Sequence, residues 1–430
     1  MDEKFLYHIW DEGHLAGNLK TVSGKELKIN YQGQFNTFRG PDFVNAIISL
    51  NGEDLQGAIE IHQNTQDWIK HAHQEDVHYN QVILHTVLNH NGSQPYTIKE
   101  NGELIEILEL KNQLSEDIQK LLSDLEDKDL ISGNDYCDLL SAIDNDRLFG
   151  ILAISGKQRF MSKVHRFNVS LSLSDFDQIL YEGMMEAAGY DKNKFNLFQL
   201  AQSIPFAKLR EWFKEGMTSK EMLSLLIGSS GLLPKSRNRL SAELYAELLS
   251  TYESQRYYAR KLDIDWQLFR IRPGNHPVFR LILLSEFLYN CLPDGLLNYF
   301  LNNLELAEPK PSKRYQTFSQ LFKPQQEGLL HNRQGLGITV INNIYINIYL
   351  PILYLYYQKL AKAEMTESIL QSYVTFKALP ENYITRFMCN HINSSQVKAV
   401  NSKTLYQQGL IDIYYRFCRY HLCSECLKNI

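Results

Sequence analysis

Two apolar runs separated by an Asn-Gly pair place the tightest constraint on what this chain can fold into. The first run spans Phe43–Leu50 and the second spans Leu55–Ile61. Asn51-Gly52 between them favours a tight hairpin turn, because both residues tolerate the positive φ angles that such a turn requires. The sequence therefore predicts two antiparallel strands, with the start of the first beside the end of the second.

Helical and strand patterns surround this hairpin. Apolar spacing predicts a helix over Lys4–Glu12, and polar–apolar alternation predicts a strand over Glu26–Tyr31. Helical spacing also covers Gln66–Asn80, and the nearly continuous apolar run Val82–Leu88 is typical of a buried strand. The order of helix, three strands, helix and strand predicts a small α/β domain with a mixed sheet over residues 1–112.

The remainder of the chain, residues 113–430, predicts a large all-α region with a C-terminal cysteine tail, which makes the fold class α+β overall. The clearest helices are predicted over Phe176–Ala188, Phe206–Phe213, Ser219–Ile227, Ser241–Glu253 and Val278–Tyr289. The most apolar stretch runs from Ile338 to Tyr357, but three asparagines and Pro351 within it favour a buried core helix over a membrane span.

Location and charge limit the possible functions. The first residues lack the apolar core of a signal peptide, and six cysteines in 430 residues are too few for a disulfide scaffold. We therefore expect a cytoplasmic protein with reduced cysteines and no membrane partner. The 44 Lys and Arg residues against 49 Asp and Glu residues give a net charge of −5, so binding to DNA or RNA would require a local basic surface.

Paired carboxylates on the predicted hairpin point to a metal site. Asp42 starts the first strand, and Glu60 lies near the end of the second. Together with the backbone carbonyl of Ile61 they could bind Mg²⁺ or Mn²⁺, which would activate water against a phosphodiester. His62 shares the sheet face of Glu60 and could hold a phosphate oxygen or relay a proton. The alternative is that Asp42 caps a turn and Glu60 is an exposed strand residue.

This arrangement resembles the core of the PD-(D/E)xK nuclease superfamily. The match consists of Pro41-Asp42 followed by Glu60-Ile61-His62, on the predicted order of helices and strands. The resemblance implies that Asp42 and Glu60 bind the metal. His62 stands where the superfamily has a lysine that positions the nucleophile, so the resemblance allows either an active nuclease or a degenerate nucleic-acid binder.

Histidines are concentrated next to these carboxylates. Six of the 13 histidines, namely His62, His71, His73, His78, His85 and His90, fall within 29 residues, where even spacing would place about one. Glu60, His62, His71, His73 and His85 form a donor set suited to Mn²⁺ or Zn²⁺. On a continuous helix, however, His71 and His73 would point about 200° apart. The spacing therefore favours a polar shell of histidines around the carboxylate pair, with Trp68 filling the core.

The C-terminal tail offers a second candidate metal site. Cys418, Cys423 and Cys426 follow a Cys-x₄-Cys-x₂-Cys pattern, with His421, Cys389 or His391 as a possible fourth ligand. Such a set could bind Zn²⁺, and some nucleases of the resembled superfamily carry an iron–sulfur cluster on terminal cysteines. The alternative is a set of reduced cysteines packed against helices.

Basic residues interleaved with aromatic ones give candidate nucleic-acid contacts at Arg256, Arg260 and Arg272. The alternative at Arg256 and Arg260 is a solvated helix face. For Arg272-Pro273, followed by Asn275-His276-Pro277, the pattern favours the entrance of a helix over a ligand site.

A longer set of segments resembles an uncharacterised bacterial family, domain of unknown function 2851. It comprises Gly40-Pro41-Asp42-Phe43, Gly57-Ala58-Ile59-Glu60-Ile61-His62, Asp67-Trp68-Ile69-Lys70-His71-Ala72-His73, Tyr79-Asn80-Gln81-Val82-Ile83-Leu84-His85 and several echoes further along the chain. This resemblance implies no activity.

Three functions follow from the sequence. The first is a metal-dependent nuclease or phosphodiesterase, or a degenerate form that only binds DNA or RNA. The second is a non-catalytic helical interaction module. The third is a hydrolase that uses a transition metal held by histidines and carboxylates. No Walker A loop, Gly-x-Gly-x-x-Gly or Gly-x-Ser-x-Gly motif occurs, so ATPase, Rossmann and α/β-hydrolase functions have no support.

Overall fold

The computed structural model describes residues 3–115, 118, 140, 143–255, 261–304, 310–323, 336–420 and 426. The chain forms two compact units, and the first contains a mixed sheet while the second is helical, so the α+β prediction is confirmed. Unit 1 comprises Met1–Ser155, Asn382–Lys398 and Gly409–Ile430, and unit 2 comprises Gly156–Glu381 and Ala399–Gln408. Each unit is therefore built from separate stretches of the chain.

The sheet of unit 1 has eight strands. They are β1 (Leu19–Lys20), β2 (Glu26–Tyr31), β3 (Gln34–Phe35), β4 (Phe43–Leu50), β5 (Glu53–Asn64), β6 (Val82–Asn89), β7 (Tyr96–Ile98) and β8 (Leu104–Glu109). The spatial order is β1-β2-β4-β5-β6-β8-β7, and β3 pairs with β4. The β5–β6 and β6–β8 pairs are parallel, and the other pairs are antiparallel.

The predicted hairpin is confirmed. Leu50 pairs with Glu53 across the turn, and Phe43 pairs with Ile59 at the far end. Asn51 has φ 50° and Gly52 has φ 87°, as expected for the two central residues of a tight hairpin turn. The register therefore brings the start of β4 beside the end of β5.

Strand β6 lies inside the sheet with a parallel neighbour on each side. Parallel strands are buried on both faces, which explains the continuous apolar character of this run. His85 sits on β6, opposite Glu60 of β5, and its side chain is fully buried. The strands β7 and β8, which complete this side of the sheet, were not predicted as separate elements.

An apolar core joins the sheet to the first helix, α1 (Glu3–Asp11). Leu6, Ile9 and Trp10 of this helix are fully buried, and they belong to the same cluster as Phe43 and Ile59. Burying side chains of this size contributes roughly 1.5–3 kcal/mol each relative to exposure. The hairpin that carries the carboxylates is therefore rigidly backed.

The segment between β5 and β6 differs from its prediction as one helix over Gln66–Asn80. Helix α2 covers only Asp67–Lys70, and 3₁₀ turns follow over His73–Glu75 and Val77–Gln81. Ala72 between them has a left-handed conformation with φ 59°. The side chain of Asp76 accepts a hydrogen bond from the backbone N–H of His78, and this local bond competes with helix continuation.

The remaining elements among the described residues are helices, and the five predicted ones are all present within two residues of their expected ends. They are α3 (Asn145–Ser170), α4 (Phe176–Ala188), α5 (Tyr190–Ser203), α6 (Phe206–Lys214), α7 (Ser219–Ser229), α8 (Leu233–Ser236), α9 (Ala242–Ser254), α10 (Pro277–Cys291), α11 (Leu296–Asn303), α12 (Pro311–Gln320), α13 (Ile338–Lys359), α14 (Ala363–Val374), α15 (Tyr383–Cys389), α16 (Ser394–Val400) and α17 (Thr404–Arg416).

Helix α13 is the apolar stretch identified in the sequence. It is long and apolar enough to cross a membrane, but it is mostly buried within the protein, as predicted for a core helix. Its middle, Tyr345–Tyr349, is π-helical, and the backbone N–H of Leu350 donates to the carbonyl of Tyr345 five residues earlier. Pro351 follows directly and lacks the N–H that a regular α-helix would use.

Candidate metal centre

Asp42 and Glu60 are held together by reciprocal hydrogen bonds between the two strands. The backbone N–H of Asp42 donates to Oε2 of Glu60 at 3.0 Å, and the backbone N–H of Ile61 donates to Oδ2 of Asp42 at 2.9 Å. The predicted meeting of the two carboxylates is therefore confirmed, and Glu60 is 5% exposed rather than a solvated strand residue. In this pocket Ile61 contributes its N–H to Asp42.

Burial dominates the protonation of this pair. It raises the pKa of Glu60 to about 8. Burial, and then the proximity of Glu60, also raise the pKa of Asp42 well above its usual value. Tyr7 of α1 makes a side-chain hydrogen bond with Asp42, and its own pKa is raised by burial and by that carboxyl group. The charged forms of Asp42 and Glu60 thus have no compensating cation in this pocket among the described residues.

Two imidazoles lie against the same glutamate, and a third lies against one of them. Nε2 of His62 is 3.4 Å from Oε1 of Glu60, and Nε2 of His73 is 3.2 Å from the same oxygen. Nδ1 of His71 lies 3.1 Å from Nε2 of His62. One nitrogen from each of the three histidines lies within 4.8 Å of the other two, a spacing that could hold a metal ion.

The expected divergence of His71 and His73 is wrong. Their ring centroids are 5.5 Å apart, and both lie beside His62. The left-handed residue Ala72 between them ends the helix and changes the direction of the chain. His71 and His73 therefore converge on one pocket, which a continuous helix would have prevented.

A second layer of residues orients His62. Its Nδ1 lies 2.9 Å from Nε2 of His85, and Nδ1 of His85 lies 2.8 Å from Oγ1 of Thr97 on β7. Both His85 and Thr97 are buried. His85 is thus a partner of His62, and its position in the site is that of a support. Thr97 was missed in the sequence, because β7 has only three residues and no distinctive pattern.

Aromatic side chains form the wall of the pocket. The ring of Tyr79 stacks on His73 with centroids 3.7 Å apart, and Trp68 packs edge-on against His73 at 5.3 Å. Trp68 is fully buried and donates from its indole N–H to the carbonyl of Ile98. The prediction that Trp68 fills the core is confirmed.

Burial favours the neutral form of His62, His73 and His85. Burial, followed by the neighbouring His73 and His71, lowers the pKa of His62 to about 3. Burial also lowers the pKa values of His73 and His85. The close approach of His62 to Glu60 is therefore not an ion pair at pH 7. Neutral imidazoles with available lone pairs are the form in which histidine binds metals.

The cluster opens to solvent on one side. His71 is exposed, whereas His62 and His73 are buried. Nε2 of His73 is buried and makes no hydrogen bond to any of the described residues. A buried ring nitrogen that makes no hydrogen bond is costly, so this atom, which lies close to Oε1 of Glu60, is available to bind a further group.

The other predicted site residues lie on other elements of the chain or outside the described residues. Arg256, Arg260, His421 and Cys423 fall outside the described residues. Arg272 is exposed, and the helix entrance predicted beside it is confirmed, since the side chain of His276 accepts from the backbone N–H of Val278 at the start of α10. Cys418 is half-buried, Cys426 is buried, and neither forms a disulfide.

Comparison with known proteins identifies a family without assigning an activity. No curated protein and no solved structure matches the chain. The sequence profile described as "Protein of unknown function (DUF2851)" matches residues 3–382, which is most of the chain and includes the whole histidine–carboxylate pocket. The chain therefore belongs to the DUF2851 family.

Proposed function

We propose that Glu60, His62, His71 and His73 bind one divalent transition-metal ion, and that the resulting centre hydrolyses phosphodiester bonds in DNA or RNA. The three imidazole nitrogens, each within 4.8 Å of the other two, carry this proposal, together with Oε1 of Glu60, which lies beside His62 and His73. The three distances that link these atoms are 3.1, 3.4 and 3.2 Å. Ligand atoms about 2.0–2.2 Å from a tetrahedral ion lie roughly 3.3–3.6 Å apart, so the spacing is close to that of ligands on a common ion.

The donor set favours Zn²⁺ or Mn²⁺ over Mg²⁺. Imidazole nitrogen suits transition metals, whereas Mg²⁺ prefers oxygen ligands and retained water. The arrangement of Asp42, Glu60 and the Ile61 carbonyl expected from the nuclease resemblance has less support, because one oxygen of each carboxylate already accepts a backbone N–H. We therefore assign Asp42 a positioning role, in which its backbone N–H fixes Oε2 of Glu60 while Oε1 faces the histidines.

The second layer sets the form of His62 that a metal requires. If Nδ1–H of His85 donates to Thr97, Nε2 of His85 can accept from Nδ1–H of His62, and Nε2 of His62 keeps a lone pair toward the cluster. Such outer partners fix ligand orientation and are part of most histidine metal sites. Trp68 and Tyr79 exclude water from the inner side.

Two features support hydrolysis as the reaction of this site: the chemistry that a bound ion would supply, and the access that solvent has to the cluster. A bound divalent ion lowers the pKa of water and withdraws charge from a phosphoryl oxygen. His71 is the solvent-exposed member, so substrate and water reach the cluster from its side. The order of α1, β2, β4, β5, α2 and β6, with Asp42 and Glu60 on the central hairpin, supports a phosphodiester as the substrate through the nuclease resemblance. We place this activity in the cytoplasm, where the described thiols of Cys291, Cys389, Cys418 and Cys426 would remain reduced.

Metal content is the first test. The protein is purified without chelator, dialysed, and analysed for Zn, Mn and Fe by plasma mass spectrometry. We expect one ion per chain, lost in His71→Ala and His73→Ala and retained in His165→Ala, which changes an exposed histidine on α3. Equal metal content in all three variants would refute the site.

Cleavage is the second test. Labelled single-stranded and double-stranded DNA, RNA and bis(p-nitrophenyl) phosphate are each incubated with Zn²⁺, Mn²⁺ or Mg²⁺. We expect hydrolysis that Glu60→Gln and His62→Ala reduce by more than about a hundredfold, beyond the loss typical of outer-shell changes. Glu53→Gln, at an exposed position on the same strand, should retain activity. Retained metal without cleavage of any of these substrates would eliminate phosphodiester hydrolysis.

A further inference from the structure

A second cavity lies within unit 2, remote in sequence from the histidine cluster. Its volume is about 370 Å³, and its lining residues come from α11, α12, α13 and α14. Tyr345, Tyr349, Leu350 and Leu353 of α13 form much of its buried floor, while the rim carries exposed polar residues such as Gln316. Small-molecule sites typically have volumes of roughly 300–1,000 Å³ and combine an apolar floor with a few polar groups.

Arg314 of α12 is the buried charged group of this cavity, and the neighbouring Lys313, which also lines it, is exposed. Its side chain is 7% exposed, its Nε makes no hydrogen bond, and no ion pair involves it among the described residues. Burying a cation without a partner costs several kcal/mol, so native proteins seldom retain one without a counter-ion. No Asp or Glu is among the described residues that line the cavity.

Tyr349 supplies a second unsatisfied donor in the same cavity. Its hydroxyl is buried and makes no hydrogen bond to the described residues. Tyr345, one helical turn earlier, has a side-chain hydrogen bond with Ser372, so its hydroxyl is accounted for. Arg314 is near enough to both tyrosines to act on them electrostatically. Two buried donors that lack an acceptor therefore face one cavity.

The backbone supports the same location. Tyr345–Tyr349 is the π-helical turn of α13, and both end residues of this turn line the cavity. Single π-turns inside α-helices occur frequently at functional sites, because the wider turn displaces side chains from their regular positions.

We propose that this cavity binds a small organic anion, with its phosphate or carboxylate group on Arg314 and the Tyr349 hydroxyl and its apolar body against Leu350 and Leu353. The guanidinium group matches an oxyanion with paired N–H donors, and the tyrosine hydroxyl adds a third donor. The apolar floor distinguishes such a ligand from a free inorganic ion. The site is independent of the proposed metal centre.

Calorimetric titration of the full-length protein tests this site. The probes are phenyl phosphate, benzoate, inorganic phosphate and uncharged benzyl alcohol. We expect phenyl phosphate or benzoate to bind, inorganic phosphate to bind more weakly, and benzyl alcohol not to bind. Arg314→Met should weaken binding by about tenfold to a hundredfold, and Arg237→Met, at an exposed position, should leave it unchanged.

Stability separates a ligand site from a structural role of Arg314. Without ligand, Arg314→Met should unfold at the same or a higher temperature than the wild type, because it removes a buried cation that has no ion pair among the described residues. Tyr349→Phe removes only a hydroxyl and keeps the fold, and it should also weaken binding of the better probe. No binding by either organic anion, equal affinity for inorganic phosphate, unchanged binding in Tyr349→Phe, or a large drop in the unfolding temperature of Arg314→Met would each overturn the proposal.

Discussion

Nε2 of His62 lies 3.1 Å from Nδ1 of His71, although one residue belongs to a central strand and the other follows a short helix. His71 makes this contact from the end of α2, and the reversal of the chain at Ala72 then returns His73 to Glu60. The pocket is therefore built by backbone conformation as much as by residue type.

The left-handed conformation of Ala72 makes this reversal testable. A β-branched side chain at φ 59° is strained, so Ala72→Val should lower the free energy of unfolding by about 1–2 kcal/mol and weaken Zn²⁺ binding. Ala72→Gly accepts the same φ and should retain both properties. Urea denaturation and zinc titration measure them, and equal zinc affinity in the Val variant would show that the turn does not position the histidines.

Thr97 is expected to control the metal site without touching the ion. Thr97→Val removes the hydroxyl that lies 2.8 Å from Nδ1 of His85 while keeping the side-chain volume. Loss of such an outer partner typically weakens metal binding by about tenfold to a hundredfold. Competition with a chromogenic zinc chelator gives the dissociation constant. Thr97→Ser should restore affinity, and failure of the serine to do so would indicate a packing effect.

Gly57 is predicted to be irreplaceable for packing. A Cβ at this position of β5 would lie 2.5 Å from Cγ2 of Ile83 and 2.7 Å from the backbone carbonyl of Gln81. Gly57→Ala should therefore reduce the free energy of unfolding by about 1–3 kcal/mol, as overpacking usually does. Gly17→Ala, where a Cβ meets no atom within 4 Å, is the matched control and should be neutral or slightly stabilising. Equal stability of the two variants in urea would contradict the prediction.

The raised pKa of buried Glu182 leads us to expect that the stability of the helical unit depends on pH. Burial raises the pKa of Glu182 to about 7. This effect outweighs the hydrogen bond that Nε2 of Gln178 donates to Glu182 at 2.8 Å, which by itself lowers the pKa. Between pH 4.5 and 7 the folded chain holds this proton more tightly than the unfolded chain, so stability falls as pH rises through that window.

Glu182→Gln removes this titration and keeps the oxygen that accepts from Gln178. The variant should gain stability relative to the wild type as pH rises from 4.5 to 7, by up to about 3 kcal/mol. Thermal denaturation at several pH values measures the difference, with exposed Glu215→Gln as the control. A difference that stays constant across this range would exclude Glu182 as its source.

Local patterns predicted the carboxylate half of the site. The positive φ preference of Asn51-Gly52 fixed the hairpin, and the two-residue period of a strand placed Glu60 and His62 on one face. Turn preference and strand periodicity are short-range properties that depend directly on the residue types. The predicted helices of unit 2 were similarly encoded by apolar spacing.

The positions of the histidines could not be predicted, because they depend on backbone conformations that the residue types do not indicate. Ala72 is neither glycine nor asparagine, so its left-handed conformation has no sequence signal. Thr97 reaches His85 only because β7 pairs with β8 and β8 pairs with β6. Such contacts arise from tertiary pairing, which overrides the local helical spacing around His71 and His73.

The division of the chain also imposes an order on its synthesis. Tyr420 donates a hydrogen bond to Asp11, and Arg419 lies 3.9 Å above the ring of Phe35, so residues near position 420 pack on the first elements of unit 1. Unit 2 interrupts the sequence between these partners. During synthesis on a ribosome, the helical unit therefore emerges in full before unit 1 receives its last contacts. Helix α1, whose Tyr7 hydrogen-bonds Asp42, is covered only after the segment around Tyr420 has been made.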